Sequence, residues 1–509
     1  MTELVNSLYK KMKKIGQDTF ALAVCPAFFV FFGLYIFAWL AVTGSGSNLF
    51  FAFATALVLT LCLTIFTSRI HYKNERSVCI LILIILFFTL THEFYVVKNR
   101  FAFKDKSYVL RDEYATVKSV QKWGKGQAIV FARQSNQGKN EKFVLYRWGN
   151  FENTDKLYPV GATYSVSGFC HPFVAKTKKR KSAKPFDQWR FWQGRGVSSC
   201  LAPSKEPQMV SSPSGLSAIR QTLKQEINTR LLPKSKNYME IFLLGQRGKG
   251  LEKLYKKSGV LHLMAISGLH VGLILALLCF LFKNKFLRFF GGTFLLWCYV
   301  ILAGCPVSAL RSAIMAQVLL FSLSFDLPRS SLNSVCLAGC LILLANPFCV
   351  TDVGFMLSFV CVLFLASLPE NFLHNAFSLC VTSALIWIIT APILSHYFGS
   401  VSLTGVLSNI FILPVFSVVF PLSMLLCFAT LAFPFLPFCP TLLEAMLTSF
   451  ETYVSVFAKL PAINIYQTDF LTVVASMIFF GILFYKLTEN KAKSAILAII
   501  FSTIIVILC

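Results

Sequence analysis

Two histidines and a serine lie near one another in a segment that is apolar enough to enter a lipid bilayer. They are His262, Ser267 and His270, in the stretch GVLHLMAISGLHVG at residues 259–272. Polar and ionisable side chains inside a membrane are costly to bury, so they usually face a water-filled cavity or a polar partner. Such groups can form hydrogen bonds to a polar or anionic solute. We therefore interpret the three residues as part of a transport path.

The spacing predicts how these side chains would be arranged if residues 261–282 formed one continuous helix. His262 and His270 would lie about 80° apart around the helix axis. Gly268 and Gly272 would lie on the opposite side and allow a neighbouring helix to pack closely. This division favours a pore-lining helix. The alternative is that each histidine makes a single hydrogen bond to another helix.

Three more polar residues fall in apolar stretches farther along the chain. Arg311 lies in PVSALRSAIM, Asp352 in NPFCVTDVGFMLSF and Asn409 in HYFGSVSLTGVLSN. A charge at the centre of a bilayer costs about 2.5–3.5 kcal/mol, so these side chains should face a cavity, a partner or the interface. We include all three in the predicted path. Mutual neutralisation of Arg311 and Asp352 is the structural alternative.

The apolar composition predicts the class of protein that positions these residues. Hydrophobic residues make up 56% of the 509-residue chain, 52 residues are phenylalanine, and the mean hydropathy is +0.66. Several apolar runs reach the roughly 20 residues that a helix needs to cross a bilayer. We predict spans near residues 20–42, 48–67 and 78–97, and a longer series beyond residue 259. The first run is too long for a cleaved signal peptide.

The region between the two apolar parts has a different pattern. Short alternating segments such as QAIVFAR and KFVLYRW are separated by Gly-, Asn- and Lys-rich turns, which predicts a small antiparallel barrel. Residues 98–236 contain 27 Lys and Arg residues against 9 Asp and Glu residues. Apolar residues at helical spacing after residue 215 predict an amphipathic helix on the membrane surface. The predicted units are a three-span region at 1–97, a basic β domain at 98–205, a connector at 206–258 and a transmembrane channel domain at 259–509.

Basic residues in the short loops predict the orientation of the chain. Arg69, Lys73 and Arg76, together with a lysine-rich N-terminus, mark the cytoplasmic side. Three spans then put the β domain outside. Cys170 and Cys200 are the only cysteines of this external region. In an oxidising exterior, we predict a disulfide between them.

A basic and aromatic cluster follows the alternating segments, in KTKKRKSAKPFDQWRFWQGRGV. This mixture suits a single-stranded polyanion, because Lys and Arg track phosphates while aromatic rings stack on bases. Contact with anionic lipid, with tryptophans at the interface, fits the pattern about equally well. The predicted DNA-binding residues of the cluster are Lys176, Lys178, Lys179, Arg180, Lys181, Trp189, Arg190 and Trp192.

These motifs together resemble the ComEC family of competence proteins, the inner-membrane channels for DNA uptake in transformation. The four intramembrane stretches carry the resemblance, and FDQWRFWQGRGV resembles the segment that follows the family's OB-type domain. The resemblance implies a polytopic α-helical membrane protein with an inserted extracytoplasmic all-β OB-like domain. It also implies a place in the cell inner (cytoplasmic) membrane, with a cytoplasmic N-terminus.

The resemblance implies a function and partners as well. The external domain would capture single-stranded DNA and pass it to a channel surrounded by membrane lipids, with a cytoplasmic translocase ATPase and an external DNA receptor as partners. The oligomeric state stays open, and a homodimer is one of the alternatives. The sequence has no HxH pair, so it is expected to lack the metallo-β-lactamase-like domain of larger family members. It has no P-loop, so the energy for transport is expected to come from the cytoplasmic partner. We expect no catalytic residues, no metal and no cofactor.

Two other classes of protein remain open from the sequence. An integral-membrane enzyme acting on lipid-linked sugars could use His, Arg and Asp side chains near the outer surface for catalysis. A small-solute transporter would show internal repeats in its hydropathy profile. This sequence contains no convincing repeat of that kind. Turnover of a lipid substrate would favour the enzyme over DNA uptake.

Overall fold

The computed structural model describes much of the chain, in separate segments. They are residues 26–43, 49, 52–58, 60, 76–102, 107–123, 126–134, 140–148, 157–173, 188–246, 250–326, 330–368, 376–398, 401–402, 404–433, 435–460, 464–465, 469–488 and 498. Most of the predicted spans at 48–67 and 494–509 lies outside them.

Helices, one six-stranded sheet and one two-stranded sheet make up the described chain. In chain order the elements are α1 Pro26–Thr43, α2 Arg76–Ala102, β1 Tyr108–Trp123, β2 Gly126–Gln134, β3 Asn140–Trp148, β4 Thr163–Pro172, α3 Gln188–Gly194, β5 Ser199–Pro203, β6 Gln208–Ser211, α4 Leu216–Arg230, α5 Pro233–Leu244, α6 Leu251–Lys257, α7 Gly268–Leu281, α8 Lys285–Leu302, α9 Val307–Ser324, α10 Ser331–Ala345, α11 Val353–Ser367, α12 Ala376–Phe398, β7 Val401–Ser402, α13 Thr404–Ala432, α14 Phe438–Phe457, β8 Asn464–Ile465 and α15 Asp469–Thr488. Short 3₁₀ segments precede α7 at Leu261–Met264 and α11 at Pro347–Thr351.

Four of the described helices are long and apolar enough to cross a membrane. They are α8, α9, the Cys380–Tyr397 part of α12, and α13. Shorter apolar helices lie within α1, α7, α10, α11 and α15. The described chain is therefore mostly helical, with four candidate membrane-spanning helices and a small β-barrel region, and the predicted class is confirmed to that extent.

The predicted continuous helix over residues 261–282 is wrong. The chain forms a 3₁₀ segment at Leu261–Met264, then an extended residue at Ala265, and the α-helix begins at Gly268 after Ser267. Serine is a favoured N-cap because its side-chain oxygen can accept from the first-turn N–H groups. His262 and His270 therefore do not share a helix face, because the two residues lie on different elements.

The β domain is a closed barrel with one added strand. The strand order is β1-β2-β3-β5-β4-β6, and β1 also pairs with β4. β3 and β5 run parallel, and the other pairs are antiparallel. Phe131 and Phe143 stack inside with ring centres 5.7 Å apart, next to Leu145. Val144 and Tyr146 face outward, as the alternation in KFVLYRW predicts.

Helix α3 covers the outer face of β2 and β3. Its Trp192 is fully buried, with 0% of the side chain exposed, and stacks on Trp123 with ring centres 5.2 Å apart. The indole Nε1–H donates to the hydroxyl of Tyr146, which also accepts from Gln188. Burial raises the pKa of the Tyr146 phenol. The phenol therefore stays protonated and keeps its place under the helix.

The end of α3 attaches the barrel to the helical bundle. The carbonyl oxygen of Gly194 accepts from Nδ2 of Asn346 at 2.9 Å. Nη1 of Arg195 lies 3.3 Å from Oδ2 of Asp352, at the start of α11. A Cβ atom on Gly194 would lie 3.3 Å from the carbonyl oxygen of Phe348, so the two backbones approach closely. Helix α3 is thus packed between the barrel and the 3₁₀ segment before α11.

The connector after the barrel is tied to the ends of bundle helices. Arg220 donates to the carbonyl oxygen of Leu244 at 2.8 Å, and Arg230 donates to that of Leu431 at 2.8 Å. These carbonyls lie at the C-terminal ends of α5 and α13, where the helix dipole favours cations. Glu444 of α14 accepts from two N–H groups in the first turn of α5. The predicted amphipathic helix is present as α4.

Helices α7, α9 and α11 begin at the same end of the bundle. Oγ of Ser308, in the first turn of α9, donates to the carbonyl oxygen of Ile266 just before α7 at 2.6 Å. The guanidinium of Arg311, in the second turn of α9, lies 5.6 Å from the ring centre of Phe359 in α11. The barrel contacts the start of α11 through α3. The barrel therefore lies at the end where these helices begin.

Helix α7 begins deeper in the bundle than α13. The start of α13 packs on the segment before α7, because a Cβ atom on Gly259 would lie 2.6 Å from Cα of Gly405. His270, the third residue of α7, instead lies beside Phe416 and Phe420, about three turns farther along α13. With 14 residues, α7 is about 21 Å long, which is less than the roughly 30 Å of hydrocarbon in a bilayer. The N-terminus of α7 thus lies inside the bundle.

Candidate functional site

Ser267 and His270 together fix the start of α7. Nδ1 of His270 accepts from the backbone N–H of Ser267 at 3.2 Å and lies 3.0 Å from the Ser267 hydroxyl. Because Nδ1 is an acceptor, the neutral imidazole carries its proton on Nε2. The third helical residue reaches back to the N-cap, as Glu or Gln does in a capping box. The pair therefore stabilises a helix end within the bundle.

The imidazole of His270 is enclosed by phenylalanine rings. The side chain is 0% exposed, and its ring centre lies 5.6 Å from Phe242, 5.3 Å from Phe416 and 4.7 Å from Phe420. Its Nε2 atom has no hydrogen-bond partner in the described part of the chain. His270 is therefore enclosed between α5 and α13 in this structure, and its place on a transport path stays a prediction.

Arg311 is a buried arginine, and no described acidic residue pairs with it. The residue is only 3% exposed. Nη2 donates to Oγ of Ser312 at 3.3 Å, and the guanidinium faces the ring of Phe359. Within the described residues, Nε has no hydrogen-bond partner. A buried guanidinium with unused donors can bind an anion, since each N–H that loses water needs an acceptor.

Asp352 takes part in the attachment of the barrel. Its Oδ1 accepts from the backbone N–H of Phe355 at 3.1 Å and so caps α11, while Oδ2 faces Arg195. The ion pair with Arg311, which the sequence left open as an alternative, is not formed. Arg195 comes from the segment after α3, and nothing in its local sequence identifies a partner so far along the chain.

The other predicted path residues lie in the segments around the start of α7. His262 is an exposed residue of the Leu261–Met264 segment, whose Leu263 is buried. Asn409 is half-buried in the second turn of α13, and its Oδ1 has no hydrogen-bond partner among the described residues. The structure thus brings Ser267, His270 and Arg311 together, leaves His262 and Asn409 on adjoining segments, and separates Asp352 from them.

Most of the predicted external DNA-binding cluster lies outside the described residues. This applies to Lys176, Lys178, Lys179, Arg180 and Lys181 and to the side chains of Trp189 and Arg190. Trp192 is described, and the prediction that it contacts DNA is wrong, because its ring is buried against the barrel. The sequence contains no sign of this, since the four aromatic residues of the cluster are equally suited to stacking.

The predicted disulfide between Cys170 and Cys200 is not formed in this structure. Both are free thiols, on the neighbouring strands β4 and β5. Cys170 pairs with Leu201, and Cys200 pairs with His171, so the offset of one residue puts the two thiols on opposite faces of the sheet. Burial raises the pKa of the Cys200 thiol to about 11. The protonated thiol is a poor nucleophile for disulfide formation.

Gly268 is a further candidate residue of this site. Its spacing in the sequence predicted only close packing with a neighbouring helix. A Cβ atom at this position would lie 3.1 Å from Oγ of Ser312 and 3.4 Å from Nη2 of Arg311. The missing side chain therefore lets the guanidinium and the Ser312 hydroxyl pack closely against the first turn of α7. The order Ser-Gly-x-His is the sequence signal that could have identified Gly268. In this order the serine begins a helix and the glycine exposes its first N–H.

Comparison with known proteins identifies relatives of this site. Residues 244–490 match the family model described as competence protein. The chain is 27% identical over 231 residues to ComE operon protein 3 of Bacillus subtilis, covering 43% of this chain and 29% of that protein. It is 28% identical over 254 residues to the uncharacterized protein MG316 of Mycoplasma genitalium, covering 48% of this chain and 64% of that protein. Each alignment spans less than two thirds of the relative. No solved structure matches the chain.

Proposed function

We propose that this chain, whose residues 244–490 belong to the competence protein family, passes a single DNA strand across the cytoplasmic membrane during DNA uptake. The barrel captures the strand outside the membrane, and the helices from α7 onward provide the path. The family description, competence protein, and the similarity to ComE operon protein 3 support this reading. The two rival classes, a lipid-sugar enzyme and a small-solute transporter, have no comparable support.

The position of the basic barrel at the end of the bundle where α7 begins beside Arg311 carries the proposal. The N-terminus of α7 lies within the bundle and carries a partial positive charge. Arg311 adds a full charge beside the start of α7. An anionic polymer drawn to the barrel would therefore meet further positive potential as it moved inward.

The strand order supports an OB-like identity for the barrel and helps to locate the capture surface. Five-stranded Greek-key barrels of this class bind oligonucleotides on strands 2 and 3 and on the loops between strands 1 and 2 and strands 4 and 5. Here α3 occupies the face of β2 and β3. We therefore assign capture to the β4–β5 connection, which carries the predicted basic residues.

The proposal assigns transport and no catalytic reaction to this chain. With the barrel outside and the N-terminus in the cytoplasm, an external DNA receptor delivers the strand, and a cytoplasmic translocase ATPase draws it inward. Lipids surround the helices. Each contact along the path has to be weak enough for the strand to leave it again.

The experiment that tests this function is the uptake of labelled DNA by a strain from which the chain is deleted. We expect the amount of label that is resistant to external nuclease to fall to background, because no path across the membrane remains. Expression of the full chain should restore it. DNA bound at the cell surface should be unchanged, which separates transport from receptor binding. Undiminished nuclease-resistant label in the deletion strain would contradict the proposal.

A further inference from the structure

The first turn of α7 and the side chain of Arg311 place several hydrogen-bond donors next to one another. The first N–H groups of an α-helix have no acceptor within the helix. His270 uses its ring to accept from Ser267, which leaves the N–H groups of Gly268 and Leu269 available. Nη2 of Arg311 lies 3.4 Å from the position of a Cβ atom on Gly268. An acceptor placed there would meet backbone and guanidinium donors together.

Burial makes these donors expensive to leave without an acceptor. Arg311 is 3% exposed, its Nε has no described partner, and its one hydrogen bond, to Ser312, is long at 3.3 Å. Asp352, the acidic residue at the start of α11, is already engaged by Arg195 and by the cap of α11. The charge of Arg311 is therefore not neutralised by the described protein, and an anion would supply both charge and acceptors.

We propose that Arg311 and the N-terminus of α7 form a binding site for one phosphodiester group of the strand in transit. The inference rests on the proposed function and names the chemical group that the path recognises. Helix N-termini bind phosphate oxygens through backbone N–H groups and the helix dipole. The guanidinium fork matches two oxygens of one phosphate, which a compact ammonium would not.

The depth of this site fits a transport path. The short helix α7 starts inside the bundle, so its positive end lies away from bulk solvent, as in membrane transporters whose interrupted helices bind anionic groups. The site recognises only the charge of the DNA phosphate backbone and contacts no base. It therefore serves any DNA sequence.

Two variants separate this site from the fold around it. Gly268→Ala puts a methyl group between the guanidinium and the helix and keeps every charge, and alanine is favourable in a helix. Gly272→Ala is the matched control, because nothing lies within 4 Å of a Cβ atom at that position of the same helix. Arg311→Gln removes the charge, with Arg230→Gln as the control for an arginine whose guanidinium already has partners.

The test is the affinity of the detergent-purified full chain for a short single-stranded oligothymidylate, measured against salt concentration. We expect Arg311→Gln to weaken binding about tenfold or more, since hydrogen bonds to charged groups are the strong ones. For Arg311→Gln we expect the slope of log affinity against log salt concentration to become about 0.7 smaller in magnitude. This is the value for one phosphate contact on a single strand. Gly268→Ala should also weaken binding, while both controls behave as wild type. A methylphosphonate strand, whose backbone is neutral, should bind wild type and Arg311→Gln equally.

The outcomes distinguish this inference from the proposed function. If wild type binds the strand and both Arg311→Gln and Gly268→Ala match it in affinity and slope, the inference is overturned and the channel proposal stands. If Arg311→Gln instead loses co-purified anionic lipid with DNA affinity unchanged, the site holds a lipid phosphate and the inference is overturned. If wild type binds no DNA at low salt, the inference and the capture step both fail.

Discussion

Replacement of Trp192 by alanine is expected to lower the free energy of unfolding of the barrel by about 3–5 kcal/mol. This is the usual cost of removing a large aromatic side chain from a core. The substitution leaves a cavity between α3 and the sheet, removes the stacking on Trp123, and takes one hydrogen bond from Tyr146. Denaturant unfolding of the purified chain, followed by near-UV circular dichroism, measures the change.

Trp148→Ala provides the matched control for this change. Trp148 lies on β3 of the same barrel, but its side chain is 66% exposed. We expect Trp148→Ala to lower the free energy of unfolding by no more than about 0.5 kcal/mol, as surface substitutions do in general. Equal stability losses from the two tryptophans would contradict the packing of α3 described above. A Trp192→Ala protein as stable as wild type would do so as well.

Replacement of His270 by alanine is expected to destabilise the helical bundle by about 3 kcal/mol. About 1 kcal/mol of this comes from the lost contact with the backbone of Ser267 and the remainder from the cavity between the surrounding phenylalanines. His270→Gln should recover about the capping part, since Gln at the third helical position can reach back to the N-cap. Thermal unfolding in detergent is the measurement.

His262→Ala separates this structural role from a histidine effect in general. His262 is exposed and lies on the 3₁₀ segment before α7. We expect its replacement to change the unfolding temperature little. A bundle that lost as much stability from His262→Ala as from His270→Ala would show that the cap and the phenylalanine enclosure are not the source of the effect.

The local periodicity of the sequence was enough to predict the main elements. Alternation in KFVLYRW identifies both faces of β3, because a strand exposes successive side chains to opposite sides. Long apolar runs identify helices such as α9 and α13, since only their length and composition matter. The boundary at Ser267 was also present in the sequence, as a serine three residues before a polar side chain.

The contacts between distant parts of the chain could not be predicted in this way. Asp352 looked like a partner for Arg311 because both are charged and both lie in apolar stretches, but the fold brings Arg195 to Asp352. Trp192 looked like a base-stacking residue until α3 was seen to pack on the barrel. Cys170 and Cys200 are neighbours in space, and only the strand register shows that their thiols lie on opposite faces. These features depend on tertiary packing, which periodicity does not encode.

The attachment of the barrel through α3 has a consequence for how captured DNA would reach the bundle. Helix α3 contacts the sheet through Trp192 and the start of α11 through Gly194 and Arg195. The β4–β5 connection that contains α3 also carries the predicted basic residues. Under the proposed function, a strand held close to α3 would therefore lie next to the end where α7, α9 and α11 begin.

Photo-crosslinking during uptake tests the central claim most directly. A benzoylphenylalanine residue is introduced at His262, which is exposed beside the start of α7, or at Phe280, which is also exposed but lies at the other end of that helix. Labelled DNA is stalled in transit by a bulky group at its trailing end, and the cells are irradiated. We predict a covalent DNA adduct at position 262 and none at position 280. No adduct at position 262, in cells where the stalled DNA is nuclease-resistant at its leading end, would contradict the path.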